Sequence, residues 1–543
     1  MATTKPDIII ILNDDMGFSD IGCYGGEIET PNLDRLAAGG LRYSQFYNTA
    51  RCSPSRASLL TGLHPHQTGI GILTYDTGPE GYAGDLNRRC VTIAEVLKEA
   101  GYSTYLSGKW HVAKNLTEPT DSWPMQRGFD KFFGTIIGAG SFYHPTTLTR
   151  GNESADHEAR DNPEFFYTDA ISDQAADFIR EHHRETPDKP LFQYVAYTAP
   201  HWPLHAHEED IAKYKGRFDD GWDKLREQRL ERLVRAGIIH PNWLLTERDP
   251  TQPAWENAEQ KEWLLRCMEV YAAQIDRMDQ GIGRILKALE ETGRLDNTFL
   301  LFLSDNGACA EDIPEGVDLD SLVNDLMIAQ AQTRDGRPVR LGNDPTIMPG
   351  PEDTYQSYGV AWANLSNTPF RLYKHWIHEG GISTPLIVHW PKGIDDKGGL
   401  RHVPGQLPDI MATVLEITGA AYPNSYKGNE ILPPEGVSLV PSFKGDYERE
   451  QPLFWEHEGN AAVRVGKWKL VREYPKPWEL YDMELDRTET NDLAAQHPDK
   501  VKEMIALYED WAKRCGVIPR EKILEEMKKL GGTAFWEKEE EKA

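Results

Sequence analysis

A cysteine, a proline and an arginine stand close together in the segment Cys52-Ser-Pro-Ser-Arg56. Ser53 can cap the start of a helix, Pro54 fits the first helical position, and Gly62 fits just past the end. The segment therefore predicts a short helix with Cys52 at its N-terminus, where free backbone N–H groups favour an anion. Arg56 would lie one turn inside and could reach back towards Cys52. A buried structural cysteine beside an ordinary helix is the alternative interpretation.

Acidic and amide side chains follow two apolar segments that have the character of buried strands. Asp14 and Asp15 follow the first segment, and Asp305 and Asn306 follow the second. Ligands of α/β proteins bind where the carboxyl ends of the strands meet. Carboxylate and amide oxygens suit a hard cation such as calcium or magnesium better than zinc. Each pair alone is also typical of a solvated turn, so the residues leave both interpretations open.

Two longer motifs resemble a known family. Cys52-x-Pro-x-Arg followed by Ala-Ser-Leu-Leu-Thr-Gly resembles the first signature of the type I sulfatases, in the alkaline phosphatase superfamily. Gly-Tyr-Ser-Thr-Tyr-Leu-Ser-Gly-Lys109-Trp-His111 resembles their second signature. The resemblance runs from Asp14 into the C-terminal region and is strongest to bacterial arylsulfatases. It implies a hydrolase of aryl sulfate esters, with alkyl and sugar esters also open.

The resemblance also implies a role for each matching residue. Cys52 would be oxidised to formylglycine, whose hydrate attacks sulfur. One calcium ion would be bound by Asp14, Asp15, Asp305, Asn306 and the modified Cys52. The other catalytic residues would be Arg56 beside the hydrate, Lys109, His201 and Lys374 on the sulfate, His111 as a proton acceptor, and Asp305 as the base. His201, with Lys374, would protonate the leaving oxygen, although a lone histidine or lysine is more often structural.

Other polar and aromatic residues near these motifs allow further interpretations. His64 and His66, together with His111, could suggest zinc, but we expect His64-Pro-His66 to form a loop at the rim of the pocket. Four aromatic residues could line an aromatic or sugar pocket or belong to the core: Phe142, Tyr143, Trp202 and Trp362.

The elements that must position these residues follow an α/β pattern. Continuous apolar segments predict buried parallel strands at Asp7–Leu12, Leu191–Tyr197, Thr298–Leu303 and Pro385–Trp390. Helical periodicity covers Val91–Ala100, Phe165–His183, Trp263–Glu291 and Asp409–Thr418. The alternation predicts a mostly parallel sheet flanked by helices, and the resemblance implies an alkaline phosphatase-like large mixed sheet. From about Gly307 to Thr368 we expect a long loop.

The pattern of apolar and polar residues changes after about Ala421. Short alternating stretches predict antiparallel strands at Leu453–His457, Ala462–Val471 and Trp478–Asp482. Val501–Cys515 has the pattern of an amphipathic helix. We therefore predict a catalytic domain over 1–425 and a smaller C-terminal α+β domain over 426–543, with a frayed charged tail at Glu537–Ala543.

Composition excludes several function classes. The 543 residues carry a formal net charge of −27, so a basic surface for nucleic acid is absent and anionic lipid is repelled. No eighteen-residue apolar stretch predicts a membrane span. The six cysteines are scattered, and the N-terminus has no signal-peptide layout. These features predict a cytoplasmic protein, or a periplasmic one if a signal was removed.

Two other functions stay open on sequence alone. Formylglycine-dependent phosphonate monoester or phosphodiester hydrolases share the cysteine signature. An inactive protein could also keep the fold to hold sulfated glycans. The expected partners are a small-molecule sulfate ester and a formylglycine-generating enzyme during maturation, and neither nucleic acid nor a membrane is expected. The physiological substrate and the oligomeric state, homodimer included, are not indicated.

Overall fold

The computed structural model describes residues 5–314, 316 and 318–529. Strands occupy β1 Asp7–Asn13, β2 Leu41–Tyr47, β3 Ser103–Gly108, β4 Lys131–Thr135, β5 Leu148–Arg150, β6 Glu153–Ser154, β7 Leu191–Ala196, β8 Thr298–Ser304, β9 Arg340–Leu341, β10 Thr354–Tyr355, β11 Ser383–His389, β12 Gly399–Arg401, β13 Gly405–Gln406, β14 Ser425–Tyr426, β15 Asn429–Glu430, β16 Leu453–His457, β17 Asn460–Val465, β18 Trp468–Arg472 and β19 Glu479–Asp482. Helices occupy α1 Pro31–Gly39, α2 Cys52–Thr61, α3 Pro65–Thr68, α4 Ile93–Glu99, α5 Asp156–Arg160, α6 Tyr167–Glu185, α7 Glu208–Ala212, α8 Gly221–Arg235, α9 Lys261–Glu291, α10 Gly359–Ser366, α11 Glu379–Ile382, α12 Pro408–Thr418, α13 Pro498–Cys515 and α14 Arg520–Lys529.

An eleven-stranded sheet forms the centre of the molecule. Its order is β12-β2-β11-β8-β1-β7-β3-β4-β5-β6, with β13 also paired to β2. The five strands from β8 to β4 in this order are parallel. Alternate residues of β1 enter two separate cores: Ile9 and Ile11 face the core built with α1, α6 and α9, whereas Ile8 and Ile10 face the one built with α2, α4 and α12. The predicted large, mostly parallel sheet with helices on both faces is confirmed.

The direction of one predicted strand was wrong. The segment Pro385–Trp390 was expected to run parallel, but β11 is antiparallel to both β2 and β8. A strand buried on both faces is apolar throughout in either direction, so its composition carries no information about direction. The predicted helices all form, with ends shifted by a few residues. The long segment after Gly307 is mostly irregular, but it includes the unpredicted helix α10 and the pair β9–β10.

The start of the cysteine-bearing helix also differs from the prediction. Helix α2 begins at Cys52, and Arg51 rather than Ser53 is its N-cap residue. Pro54 is therefore the third helical residue, where its missing N–H still costs nothing because the first-turn donors have no intrahelical partner. Gly62 ends the helix with a φ of 71° and donates its N–H to the Ser58 carbonyl, as the spacing predicts.

A second, antiparallel sheet follows in the C-terminal region. Strands β16 to β19 pair in sequence order, and α13 packs on β17 and β18. The stretch Ala462–Val471, predicted as one strand, is a hairpin that turns at Gly466 with a φ of 55°. The opposite face of this sheet packs against Tyr47, Ile377 and Ile382. The predicted tail Glu537–Ala543 lies outside the described residues.

Among the described residues, no helix is both long enough and apolar enough to cross a bilayer.

Candidate active site

The predicted site residues meet at one edge of the large sheet. Strands β1, β2, β3, β7 and β8 all run in the same sense, so the residues that follow them emerge at that edge. These are Asp14 and Asp15 after β1, Cys52 and Arg56 after β2, Lys109 and His111 after β3, His201 after β7, and Asp305 and Asn306 after β8. Because β11 is antiparallel, it begins at this edge, and the loop before it brings Lys374 there as well.

Buried carboxylates alternate with buried cations at this edge. Lys109 Nζ donates to Asp14 Oδ2 at 2.5 Å, and Lys374 Nζ donates to Asp15 Oδ2 at 2.9 Å. The Asp305 Oδ2 accepts from both Arg56 Nη2, at 2.7 Å, and Arg56 Nε, at 3.1 Å. All six side chains are at most 4% exposed. Three carboxylates and three cations cancel, so a bound divalent cation would leave the site with a positive charge suited to an anion.

Several oxygens at the same edge have no hydrogen-bond partner among the described residues. They are Asp14 Oδ1, Asn306 Oδ1 and the side-chain oxygen of Asn13. Buried polar atoms are nearly always paired, so a cluster of unpaired oxygens indicates a missing ligand. Asn306 Nδ2 donates to Asp15 Oδ1 at 2.7 Å, which turns the open Asn306 oxygen away from that carboxylate. An all-oxygen donor set fits a hard cation such as calcium.

The pKa values of Asp14 and Asp305, the two carboxylates that flank Arg56, are shifted in opposite directions. Burial disfavours the charge on Asp14, but Lys109, His201 and Arg56 together outweigh it and hold the pKa of Asp14 well below its usual value. Burial and the neighbouring Asp14 charge raise the pKa of Asp305 to about 7, against the opposing effect of Arg56. Two like charges this close cannot both ionise freely, and a cation between them would remove the conflict.

Cys52 lies at the start of a completely buried helix. All residues of α2 are buried, and Cys52 itself lines a cavity of about 220 Å³. Burial raises the pKa of the Cys52 thiol despite Lys109 and Lys374 nearby. The thiol is therefore neutral near pH 7 and a poor nucleophile, because the thiolate is the reactive form.

His201 has a fixed tautomer. Its Nδ1 lies 2.6 Å from the Trp202 carbonyl, which can only accept, so Nδ1 carries the hydrogen. Nε2 then faces Lys374 Nζ at 3.4 Å and Asp15 Oδ2 at 3.3 Å. Burial lowers the pKa of His201, whereas Asp15 and Glu311 help hold the pKa of Lys374 well above its usual value despite burial. Near neutral pH the proton of this pair therefore resides on Lys374.

His111 adds a second neutral imidazole to the cavity wall. Burial, followed by Lys109 and Arg56, lowers its pKa well below the usual value, and its Nδ1 has no hydrogen-bond partner among the described residues. Gly138 packs flat on the ring: a Cβ there would lie 2.2 Å from His111 Cε1. The backbones of Asp15 and His111 both have positive φ, 65° and 55°, which non-glycine residues adopt at a cost and which is common at functional sites.

The cavity above Cys52 is lined mainly by apolar side chains. Its walls include Leu73, Ile137, Ile313, Leu322, Leu326 and Ile328, together with the rings of Trp202 and Tyr355. Much of one wall comes from the segment expected to be a loop. Of the four aromatic candidates, Trp202 lines this cavity, whereas Phe142 and Trp362 belong to the core and Tyr143 packs against it.

Two charged residues of the site were missed by sequence reasoning. Arg51 and Glu311 line the cavity and form an ion pair at 2.6 Å, and Glu311 also accepts from Trp202 Nε1 at 3.0 Å. Glu311 Oε2 lies 3.4 Å from Lys374 Nζ. The position of Arg51 directly before the cysteine was the one available signal. Nothing local marked Glu311, because its partners come from distant segments.

The histidines expected at the pocket rim lie elsewhere. His64 and His66 are buried, and His66 Nε2 lies 2.6 Å from Glu456 Oε2 in β16. Both rings pack edge-on against Trp511 of α13. The rim interpretation was wrong because these residues are covered by the C-terminal sheet and its helix.

Comparisons with known proteins agree with this geometry. A family model described as Sulfatase matches residues 6–420, and one described as N-sulphoglucosamine sulphohydrolase, C-terminal, matches 370–510. An uncharacterized sulfatase of Schizosaccharomyces pombe is 34% identical over 95% of this chain and 94% of its own length. An arylsulfatase of Klebsiella aerogenes is 35% identical over 80% of this chain and 91% of its own. The crystal structure of Ps i-CgsB is similar in fold, with a TM-score of 0.65 and 23% identity over 94% of this chain and 93% of that one.

Proposed function

The chain belongs to the sulfatase family and hydrolyses sulfate esters, and from this premise we propose that its substrates are aryl sulfates, cleaved with a calcium ion and with Cys52 oxidised to formylglycine. The observation that carries the proposal is the position of Cys52: it lies at the floor of an apolar cavity, directly beside a cluster of buried carboxylates and cations. The neutral thiol is poorly suited to attack, which supports a modified residue at this position.

The open oxygens at the sheet edge support calcium. Asp14, Asp15, Asp305 and Asn306 would hold the ion together with the modified Cys52, and their donor atoms match its preference for oxygen. Bound there, calcium would lower the pKa of the formylglycine hydroxyl that attacks sulfur and withdraw charge from the sulfate oxygens. Arg56 keeps its place beside Asp305 and donates its other Nη to the Lys109 carbonyl at 3.3 Å, so it orients the helix start on which residue 52 lies.

The sulfate group would be bound by cationic side chains that lie together near Cys52. Lys374 lines the cavity and Lys109 lies near Cys52, and each ammonium has donors besides the one given to its carboxylate partner. Asp305 would take the proton of the attacking hydroxyl, since its carboxylate lies close enough to residue 52 to influence the pKa of the Cys52 thiol. His111, neutral and with an open Nδ1, would accept the proton whose loss releases sulfate.

The leaving oxygen would be protonated by His201 and Lys374 acting together. His201 Nε2 is unprotonated when Nδ1 donates to Trp202, so the proton must come from Lys374, whose Nζ is 3.4 Å away. Glu311 would keep Lys374 charged and aimed at this position. The geometry thus favours a lysine–histidine pair over histidine alone as the acid.

This pair is tested by a series of aryl sulfates with graded leaving-group pKa. Nitrophenolate departs almost unaided, whereas a basic oxide needs a proton in the transition state. Both His201→Ala and Lys374→Ala should therefore steepen the dependence of kcat/KM on leaving-group pKa. Parallel lines for wild type and a variant would limit that residue to binding the sulfate, because the sulfate group is common to every ester.

The apolar wall is tested by changing its polarity. Leu326→Gln should lower kcat/KM for nitrophenyl sulfate by about tenfold, because one buried side chain of this size contributes about 1.5 kcal/mol or more to binding an aromatic group. The matched control is Leu244→Gln, because Leu244 is 66% exposed and away from the cavity lining. A variant with unchanged turnover of nitrophenyl sulfate would contradict the aryl preference. Parallel assays with a nitrophenyl phosphonate ester and with glucosamine 6-sulfate separate the phosphonate hydrolase and the sugar sulfatase alternatives.

A further inference from the structure

We propose that His375, His457 and Glu458 form a second metal site, for a transition-metal ion of the zinc class, between the C-terminal sheet and the loop that carries Lys374. One potential ligand atom from each residue lies within 4.8 Å of the other two. His375 Nδ1 and Glu458 Oε2 are 3.4 Å apart, close to the separation of neighbouring ligands on a tetrahedral ion.

The state of His457 is the second observation that indicates a ligand. The residue is fully buried, and neither of its ring nitrogens has a hydrogen-bond partner among the described residues. Leaving a buried polar group unpaired is costly, so native structures rarely do it. The nearby carboxylate of Glu456 is already engaged: His66 Nε2 lies 2.6 Å from Glu456 Oε2, and Glu456 Oε1 accepts from the Gly459 N–H at 2.7 Å. A metal on His457 would satisfy one of the two open nitrogens.

The donor set distinguishes this site from the one at the sheet edge. Two imidazoles and one carboxylate suit zinc and its neighbours in the first transition row, whereas calcium prefers oxygen alone. The side chain of His375 is 33% exposed, so a water molecule can complete a fourth position. The two sites should therefore bind different ions at the same time.

Two arginines determine how strongly a cation is held here. Arg51 is neutralised by Glu311 at 2.6 Å. Arg520 Nη2 lies 3.5 Å from Glu458 Oε2 and is the cation that a metal must displace or share. Removing the charge of Arg520 should therefore increase metal affinity, whereas replacing a ligand should lower it.

The position of the site shows what an ion would join. His375 directly follows Lys374, and its N–H donates to the Ala50 carbonyl at 2.8 Å, two residues before Cys52. His457 and Glu458 lie at the turn between β16 and β17, and Asn460 Nδ2 donates to the His375 carbonyl at 3.3 Å. A metal would therefore tie the hairpin of the C-terminal sheet to the loops that present the nucleophile and Lys374.

Cobalt(II) is the probe, because its visible absorption reports nitrogen ligation and low coordination number. The full-length chain is first saturated with calcium, so that the proposed calcium site at the sheet edge is occupied. It is then titrated with cobalt. We expect one cobalt per chain with an intense visible band, and zinc should displace it. His457→Phe, which keeps the ring volume, should abolish the band, and Glu458→Gln should weaken binding at least tenfold. Arg520→Met should strengthen it.

The matched control is His389→Phe. His389 is also buried and also has an unpaired Nδ1, but it lies at the far end of β11 and outside any cluster of potential ligands among the described residues. This variant should bind cobalt as wild type does. The proposal is overturned if calcium-saturated wild type binds no cobalt, or if His457→Phe and Glu458→Gln bind it unchanged. Should His457→Phe fail to fold by circular dichroism, Glu458→Gln and Arg520→Met decide the question, since neither removes a buried ring.

Discussion

Among the buried charge clusters of the described residues, two differ in how their oxygens are paired. One is the active-site cluster of Asp14, Asp15, Asp305 and their cations. The other, here termed the closed network, consists of Glu379, Lys469, Arg487 and Glu489, and it joins helix α11 to β18 and to the segment after β19. Glu379 Oε1 pairs with Lys469 at 2.8 Å, and Oε2 pairs with Arg487 at 2.8 Å.

Every charged group of the closed network meets a partner within it or beside it. Glu379 Oε2 also accepts from Tyr47 and Ser383, and Glu489 Oε2 accepts from the Glu379 N–H. Glu489 Oε1 makes no hydrogen bond, but it lies 2.8 Å from Lys469 Nζ and is paired in charge. The active-site cluster instead leaves the oxygens of Asp14 and Asn306 open. Buried charge is thus compatible with both roles, and the open lone pairs distinguish a site that awaits ligands from one that only holds the fold together.

The largest expected effect is a loss of activity without a loss of stability at the active-site cluster. Cys52→Ala should lower kcat by about 10⁴-fold or more, as loss of a nucleophile does. Measured without calcium, its melting temperature should stay within a few degrees of wild type, because only a small side-chain group is lost and no charge is left unpaired. Normal turnover by this variant would contradict the formylglycine proposal. Intact-mass measurement of wild type, in which formylglycine is lighter than cysteine, is the accompanying check.

The second prediction is that calcium binds to the active-site cluster and stabilises the protein. Calcium at 100 times its Kd should raise the free energy of unfolding of wild type by about 2.7 kcal/mol. Asn306→Ala removes an open oxygen and the hydrogen bond to Asp15 Oδ1, but it leaves the ion pair of Asp15 with Lys374 in place. It should weaken calcium binding at least tenfold, about 1.4 kcal/mol. Calorimetric titration and thermal melts with and without calcium measure both effects. Unchanged calcium affinity in this variant would remove Asn306 from the proposed ligand set.

The closed network should respond in the opposite way. Glu379→Ala leaves Lys469 and Arg487 buried with fewer partners, so it should lower the free energy of unfolding by about 3 to 5 kcal/mol. The folded fraction should keep kcat/KM within about tenfold of wild type and bind calcium normally. Urea unfolding combined with activity below the transition tests this pair of expectations. A stable variant without activity would mean that the two clusters are not separable.

Lowering the pH should remove part of the stabilisation that the closed network provides. Burial opposes the charge on Glu379, but Lys469 and Arg487 outweigh it and lower the pKa of Glu379 to about 2. A lowered folded-state pKa contributes stability that is present above the ordinary value near 4.5 and is lost as the pH falls towards 2. The difference in unfolding free energy between wild type and Glu379→Gln should therefore shrink across this window, by on the order of 3 kcal/mol. A constant difference from pH 7 to pH 3 would show that Glu379 is not the titrating group.

Much of the fold and of the site could be predicted from local sequence. The buried strands β1, β7 and β8 are continuous apolar runs, and a polar pair directly after β1 or β8 must emerge at the sheet edge. The helix at Cys52 follows from its proline and its terminal glycine. Each of these rules acts over a few residues, so it can be read along the chain. Asp14, Asp15, Asp305 and Asn306 meet for that reason, whereas Lys109, His111, His201 and Lys374 were expected from the family resemblance.

Tertiary structure alone decided the rest, because the deciding contacts join residues far apart in sequence. The antiparallel direction of β11, which delivers Lys374 to the site, depends on pairing with β2 and β8. Arg51 and Glu311 are 260 residues apart, yet they form one ion pair in the cavity wall. His375 and Glu458 meet only when the C-terminal sheet packs on the catalytic loops. Local sequence determines which side chains follow the end of a strand or begin a helix. Packing alone determines which of these side chains contact one another, because the contacting residues come from segments far apart in the chain.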